Sequence, residues 1–281
     1  MVKNKIDIQE SMQPLSICVS ISRQFLRSVR IDTDFGRDDA LAGYICQGTA
    51  KALLESMATQ IKETRQRAFT WTGPYGGGKS SLALMLCSLV GTSPTLRKKA
   101  KSILDLPPNS PINVAFSSKD EGWLVLPLVG KRTSVTDEIR TLLASHSNNF
   151  SKKKTKGNSD VIGELVSIAE SHPQGVLLVI DELGKFLESA ALEGDDVYFF
   201  QELAEAASRT NGRLVVVGIL HQAFDAYAAR LGRQARDDWA KVQGRYIDIP
   251  LVSGTDEVVE LIGKAITIQP KVDFSGAEPF A

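Results

Sequence analysis

The sequence predicts an α/β protein: a parallel β-sheet with helices on both faces. Two stretches carry that prediction. The first is Gly73-Pro74-Tyr75-Gly76-Gly77-Gly78-Lys79-Ser80, which fits G-x-x-x-x-G-K-[ST], the phosphate-binding P-loop pattern. A short β-prone run, Ala68–Thr72, precedes it, and the apolar run Ser81–Val90 follows it. Strand, glycine-rich turn and buried helix are the context this loop needs, because backbone N–H groups and a helix N-terminus then converge on one anion. The second stretch is Val176-Leu177-Leu178-Val179-Ile180-Asp181-Glu182. Five consecutive apolar residues suit a strand buried on both faces, and the two carboxylates fall at its carboxyl end. Ligands of open α/β sheets bind at that edge.

The roles follow from chemistry. Glycines let the backbone approach phosphate without a Cβ in the way. Lys79 is placed to reach the β- and γ-phosphates, and the Ser80 hydroxyl to ligate Mg²⁺. Ser81 continues the helix start and adds its amide. Asp181 is the candidate second Mg²⁺ ligand, and Glu182 the candidate to orient or deprotonate the attacking water. The expected cofactors are ATP and Mg²⁺.

Composition bounds the rest. The chain has 281 residues, 43% hydrophobic and 23% charged, which suits a globular protein of one large domain with appendages. Formal net charge is zero, so no global basic signature points to nucleic acid. Cys18, Cys46 and Cys87 show no C-x-x-C spacing, and so suggest neither a zinc site nor a disulfide framework. No apolar run approaches membrane-span length, and Asp7 and Glu10 make the N-terminus a poor signal peptide; the cytoplasm is the expected location.

In chain order, 1–30 is expected to be an N-terminal extension, with a strand in Leu15–Ile21 and a basic helix in Ser22–Arg30. Residues 31–43 are turn-rich and lead into a helix over Tyr44–Ile61. Tyr44 and Ile45 are candidates for an adenine pocket, ordinary core packing being the alternative. Gly91–Pro94 reads as a turn, Thr95–Leu104 as a basic helix, and Pro107, Pro108 and Pro111 as chain breaks. Trp123–Val129 reads as a strand whose Pro127 argues for an edge or a bulge. Val135–His146 and Asp160–Ser171 read as helices. Between them, 147–159 is rich in lysine and expected to be a mobile surface loop, with a nucleic-acid contact as the alternative. Asp195–Thr210 reads as a helix stopped by Asn211-Gly212, and Arg213–Leu220 as a buried strand ending in His221-Gln222. A helix over Ala223–Leu231, a strand over Tyr246–Leu251 and a helix over Thr255–Ile266 complete the reading.

A P-loop, a strand ending Asp181-Glu182 and a further strand with the polar end His221-Gln222 resemble the ASCE division of P-loop NTPases, most closely AAA+ or STAND-type ATPases. Prokaryotic defence-system and origin-recognition-type proteins are among these. The resemblance covers 31–266 and implies a three-layer P-loop NTPase fold with sheet order 5-1-4-3-2, ATP binding and Mg²⁺-dependent hydrolysis. It places a sensor role on His221 or Gln222, and implies an arginine finger supplied to a neighbouring subunit, hence a homo-oligomer or larger complex. Arg230, Arg233, Arg236 and Arg245 lie in the relevant region, and Arg245, directly before the last strand, is the expected finger. The family continues into a helical lid, whereas roughly thirty residues remain here. The tail 267–281 is therefore expected to be cut from a longer chain. Two functions fit: a hydrolysing ATPase, which the intact Glu182 favours, and a nucleotide-gated scaffold with little turnover. A small-molecule kinase is a weaker third.

Overall fold

The computed structural model describes residues 19–22, 25–118, 121–146, 158–193, 197–210, 213–228 and 233–268. The elements in chain order begin with Val19–Ile21 (β1), Ile31–Asp34 (α1), Gly48–Glu63 (α2), Ala68–Thr72 (β2), Lys79–Val90 (α3), Pro94–Ile103 (α4), Pro111–Ala115 (α5), Leu124–Val129 (β3) and Val135–His146 (α6). They continue with Asn158–Ser171 (α7), Val176–Asp181 (β4), Leu183–Glu193 (α8), Tyr198–Arg209 (α9), Leu214–Leu220 (β5), Phe224–Ala228 (α10), Arg233–Gln243 (α11), Ile247–Pro250 (β6), Thr255–Ala265 (α12) and Ile266–Ile268 (β7).

Val29–Gly254 forms one compact unit, and the described residues on either side of it in sequence form a second. The larger unit thus ends at Gly254, ahead of the helix that the sequence placed within 31–266. Its sheet runs β3-β4-β5-β2-β6, with every neighbouring pair parallel. Numbered from the P-loop strand, this is the order 5-1-4-3-2 that the resemblance implies. β5 lies between β2 and β4, and β3 is an edge strand, where the missing N–H of Pro127 is tolerated.

Side-chain alternation splits the sheet between two cores. Phe69, Trp71, Leu177, Val179, Val215, Val217 and Ile219 pack on one face, with residues of α2, α3 and α5. Val176, Leu178, Ile180, Leu214 and Val216 pack on the other, with residues of α6 to α9. Helices therefore cover both faces, and the central strands β2, β4 and β5 are buried along their whole length.

Several local expectations need correction. Prolines that read as breaks or turns instead start helices. Pro94 and Pro111 occupy the first helical turn behind Ser93 and Ser110, whose hydroxyls accept the N–H groups of Leu96 (3.3 Å) and Asn113 (3.1 Å). Tyr44–Gln47 precedes the helix that was placed over it. Among the described residues of Ser22–Arg30, none is α-helical, and Phe25 lies in a 3-10 turn whose N–H bonds the Ser22 carbonyl at 2.9 Å. A short helix follows them, and the Asp34 carboxylate accepts the Arg30 N–H at 2.9 Å. The 1–18 segment, residues 147–157 of the lysine-rich loop, Asn211-Gly212, Arg230 and 269–281 lie outside the described residues.

In the smaller unit β1 and β7 pair antiparallel, with Ser20 opposite Thr267. The Ser22 and Thr267 hydroxyls are hydrogen-bonded at 2.8 Å. None of the residues of α12 is buried.

Candidate functional site

β2, β5 and β4 are adjacent and parallel, so their carboxyl ends form one edge. That edge gathers most of the residues singled out in the sequence. β2 delivers Gly73, and the loop Gly73–Gly78 turns directly into α3. Gly78 caps α3 at φ 79° and offers no side-chain acceptor to the first helical N–H groups. Those amides, including those near Ser80 and Ser81, are therefore free of any side-chain cap and suit an anion. Gly73 is held against the chain that follows β6: an added Cβ would lie 2.3 Å from the Leu251 carbonyl oxygen. The Leu251 N–H in turn donates to the Thr72 carbonyl at 2.7 Å, so β6 clamps the base of the loop.

Lys79 is buried, and its ammonium donates to the carbonyls of Gly73 and Pro74, both at 2.6 Å. Burial pulls its pKa down, and Asp181 opposes that shift. Asp181, at the tip of β4, is 5% exposed. Burial pushes its pKa up; hydrogen bonds from the Ser80 hydroxyl and the Glu182 N–H oppose the shift. The Glu182 N–H lies 2.9 Å from Asp181 Oδ1. Ser80, in the first turn of α3, and Asp181, at the end of β4, lie at the same edge of the sheet. These are hard oxygen donors of the kind Mg²⁺ takes, and the remaining positions would fall to water and phosphate.

Glu182 follows with φ 53°, one of two described non-glycine residues at positive φ. That conformation turns the chain sharply out of the strand into α8. The Glu182 carboxylate is paired with the Lys185 ammonium, one helical turn on. His221, at the tip of β5, stacks on the Tyr75 ring with centroids 3.6 Å apart and planes 19° from parallel. Both its ring nitrogens are buried without a hydrogen-bond partner, and its backbone N–H donates to Tyr227 Oη at 3.4 Å. Burial, then Lys79, hold its pKa below the usual imidazole value, with Asp181 and Glu182 opposing. Gln222 is exposed beside it.

The remaining candidates stand apart. Tyr44 packs against the core of the α2–α3 face, and burial raises its phenol pKa. Ile45 is half-buried next to it. This segment is tied to the chain after β6 by the Ser253 hydroxyl, which donates to Gln47 Oε1 at 3.0 Å. Arg245 precedes β6, at the opposite edge of the sheet from the P-loop. Its guanidinium pairs with Glu205 at 3.2 Å, in a cavity of about 410 Å³ shared with Arg65 and Arg209. The structure does not bring it to its own chain's loop.

Sequence reasoning missed Lys185, Tyr227 and Leu251. Lys185 carried a signal, its i+3 spacing from Glu182, but that spacing has meaning only once α8 is known. Among the described residues, no group of three or more His, Cys, Asp or Glu side chains is arranged to hold a metal, and no helix is long and apolar enough to cross a membrane.

No family model matches the chain, and comparison with curated proteins finds no match. Among solved structures the chain is similar to Cdc6p from Pyrobaculum aerophilum, at 15% identity and TM-score 0.41, over 82% of this chain and 53% of that one. It is similar to the Aeropyrum pernix ORC2 protein in its ADPNP–ADP complexes, at 15% identity and TM-score 0.49, over 83% and 56%. It is also similar to C. elegans PCH-2, at 13% identity and TM-score 0.38, over 86% and 53%. The chain spans a little over half the length of each. The fold class itself stands on the sheet order and on the glycine-rich loop at the tip of β2.

Proposed function

We propose that this chain binds ATP at the tip of β2 and hydrolyses it in a Mg²⁺-dependent reaction that drives conformational change or assembly of a larger complex. The observation that carries the reading is that the glycine-rich loop with its buried Lys79, at the tip of β2, and the buried Asp181 carboxylate, at the end of β4, lie at one edge of the parallel sheet. Ser80 and Asp181 would hold Mg²⁺, which would supply charge neutralisation at the phosphates.

The chain's own groups do the rest. The loop amides and the uncapped start of α3 bind phosphate. Lys79 exchanges two carbonyl partners, Gly73 and Pro74, for phosphate oxygens. Glu182 orients the attacking water in line and accepts its proton as the water oxygen bonds to the γ-phosphorus and ADP leaves. His221 donates to the terminal phosphate or to that water, with Gln222 the neighbouring alternative. Tyr44 and Ile45 border the base. Arg245, at the far sheet edge, acts in trans on the nucleotide of a second copy, which makes the active form a homo-oligomer or part of a larger complex. The proposed setting is the cytoplasm, and the resemblance supports a role linked to nucleic acid or antiviral defence.

A second reading, a nucleotide-gated scaffold with little turnover, is favoured by the Glu182–Lys185 ion pair, which occupies the carboxylate that would act on water. Two variants separate the readings. Lys79→Ala is expected to weaken ATP binding or abolish turnover; wild-type binding and turnover would remove the P-loop assignment. Glu182→Gln is expected to bind ATP while hydrolysis falls by about a hundredfold or more. A wild-type rate in that variant excludes Glu182 as the water-orienting group. A wild type that binds but never hydrolyses leaves the scaffold.

A further inference from the structure

Tyr75 occupies a variable position of the P-loop, where the motif asks for no particular side chain. Tyr75 is 78% exposed, and among the described residues its ring stacks on His221. The stack is close and nearly parallel, and it covers one face of the imidazole. Below, the His221 backbone is tied to Tyr227 Oη. The imidazole is therefore held by its face and its main chain, while both ring nitrogens remain buried and unpartnered. A buried polar atom without a partner costs free energy unless water or a ligand satisfies it. The charged groups that act on this ring are Lys79, Asp181, Glu182 and Lys185.

We propose that Tyr75 is a positioning residue for His221. Its ring, carried on the phosphate-binding loop, fixes the imidazole so that the ring nitrogens meet the terminal phosphate and the attacking water. This rests on the ATPase reading above and on the sensor role given there to His221. The neutral imidazole has one N–H to donate to a phosphate oxygen and one lone pair to accept from water. The loop and the sensor are also mechanically joined. The Pro74 carbonyl, adjacent to Tyr75 in the chain, is one of the two acceptors that Lys79 must leave when phosphate enters. Rearrangement of the loop on binding is thereby transmitted through the ring to the tip of β5.

The test uses the full chain with Tyr75→Ala, Tyr75→Phe, His221→Ala and the double variant Tyr75→Ala/His221→Ala. The chain has three histidines, so the imidazole protons of His221 can be assigned by NMR from the loss of their signals in His221→Ala. Stacking shifts them upfield. Tyr75→Ala is expected to abolish that shift and Tyr75→Phe to keep it. In single-turnover hydrolysis with excess protein and saturating MgATP, Tyr75→Ala is expected to slow the chemical step about two- to tenfold, the worth of an aromatic stack. ATP affinity should change less than the rate. Tyr75→Phe should recover most of the loss, and the double variant should be no slower than His221→Ala. Unchanged imidazole shifts in Tyr75→Ala would overturn the proposal. So would a wild-type rate in Tyr75→Ala beside a slow His221→Ala, or a Tyr75→Phe as slow as Tyr75→Ala. A wild-type rate in His221→Ala with the stack intact by NMR overturns the sensor role instead, and the proposal falls with it for that separate reason.

Discussion

Two glycines of the P-loop share a motif but not a physical reason, and alanine at each should show it. Gly73 has φ 157° and Gly76 has φ 75°, both in regions that side chains disfavour. An alanine at Gly76 would find nothing within 4 Å, so only the left-handed backbone costs energy, about 1 kcal/mol. An alanine at Gly73 would set its Cβ 2.3 Å from the Leu251 carbonyl oxygen. That oxygen has little freedom to retreat, because the Leu251 N–H is bonded to Thr72 next to the glycine itself. Relief requires parting the chain after β6 from β2, an overpacking cost of about 2 kcal/mol on top of the backbone strain. The expected loss is about 3 kcal/mol at Gly73 against about 1 kcal/mol at Gly76. At about 3 °C per kcal/mol for a unit of this size, melting should fall by about 9 °C and about 3 °C. Trp71, Trp123 and Trp239 are all buried in the Val29–Gly254 unit, so tryptophan fluorescence without nucleotide reports that unit alone. Equal melting temperatures for the two variants, or a larger drop for Gly76→Ala, would refute the clamp of β6 on the loop.

Two further predictions concern assembly and pH. Specific ATPase activity should rise with protein concentration, and Arg245→Ala should lower the stimulated part while leaving ATP affinity nearly intact; a flat profile with full activity in the variant leaves no trans-acting role for Arg245. His172 Nδ1 accepts the N–H groups of Gln174 (3.3 Å) and Gly175 (3.2 Å) ahead of β4, and burial lowers its pKa from 6.5. The folded state then binds fewer protons than the unfolded one, so this stability is complete above pH 6.5 and is lost as pH falls from there through the folded-state pKa. The urea midpoint should drop on acidification from pH 7.5 to 5.5, and His172→Gln should flatten that drop; an unchanged pH slope in the variant excludes His172 as its source.

The residues proposed to meet phosphate stand out in the sequence because they are contiguous. Glycines, Lys79 and Ser80 stand in one run, and Asp181 and Glu182 end a strand that announces itself by five apolar residues. The central strands were legible for a related reason: burial on both faces leaves an unbroken apolar run. α8 was missed although Leu183, Phe186, Leu187 and Ala190 recur at helical spacing and all are buried. α11 offered less, since among its side chains whose burial is described only Trp239 and Val242 are buried, too few to declare a period. β7 has three residues and exists through its pairing with β1 from the other end of the chain. The sheet order came from the resemblance, because parallel strands joined by long crossovers leave no local mark of which neighbour they choose.

What pattern reading could not reach is how the site is held. Gly218 lies under Leu183: a Cβ there would come within 2.4 Å of the leucine Cδ2. Gly184 lies under the Tyr227 ring, where a Cβ would come within 2.4 Å of a ring carbon. Both glycines let α8 settle closely onto β5 and α10, and that closeness puts Tyr227 Oη on the His221 N–H. From there the support passes to Tyr75 through the stack, and from the P-loop to Leu251 through the backbone. Apart from the short step between His221 and Tyr227, these links join residues far apart in sequence through close packing and hydrogen bonds, so no spacing rule exposes them. The motif names the groups proposed to meet phosphate; the small residues behind it set how closely those groups are packed. A glycine outside the motif, such as Gly218 or Gly184, therefore belongs to the site as firmly as one within it.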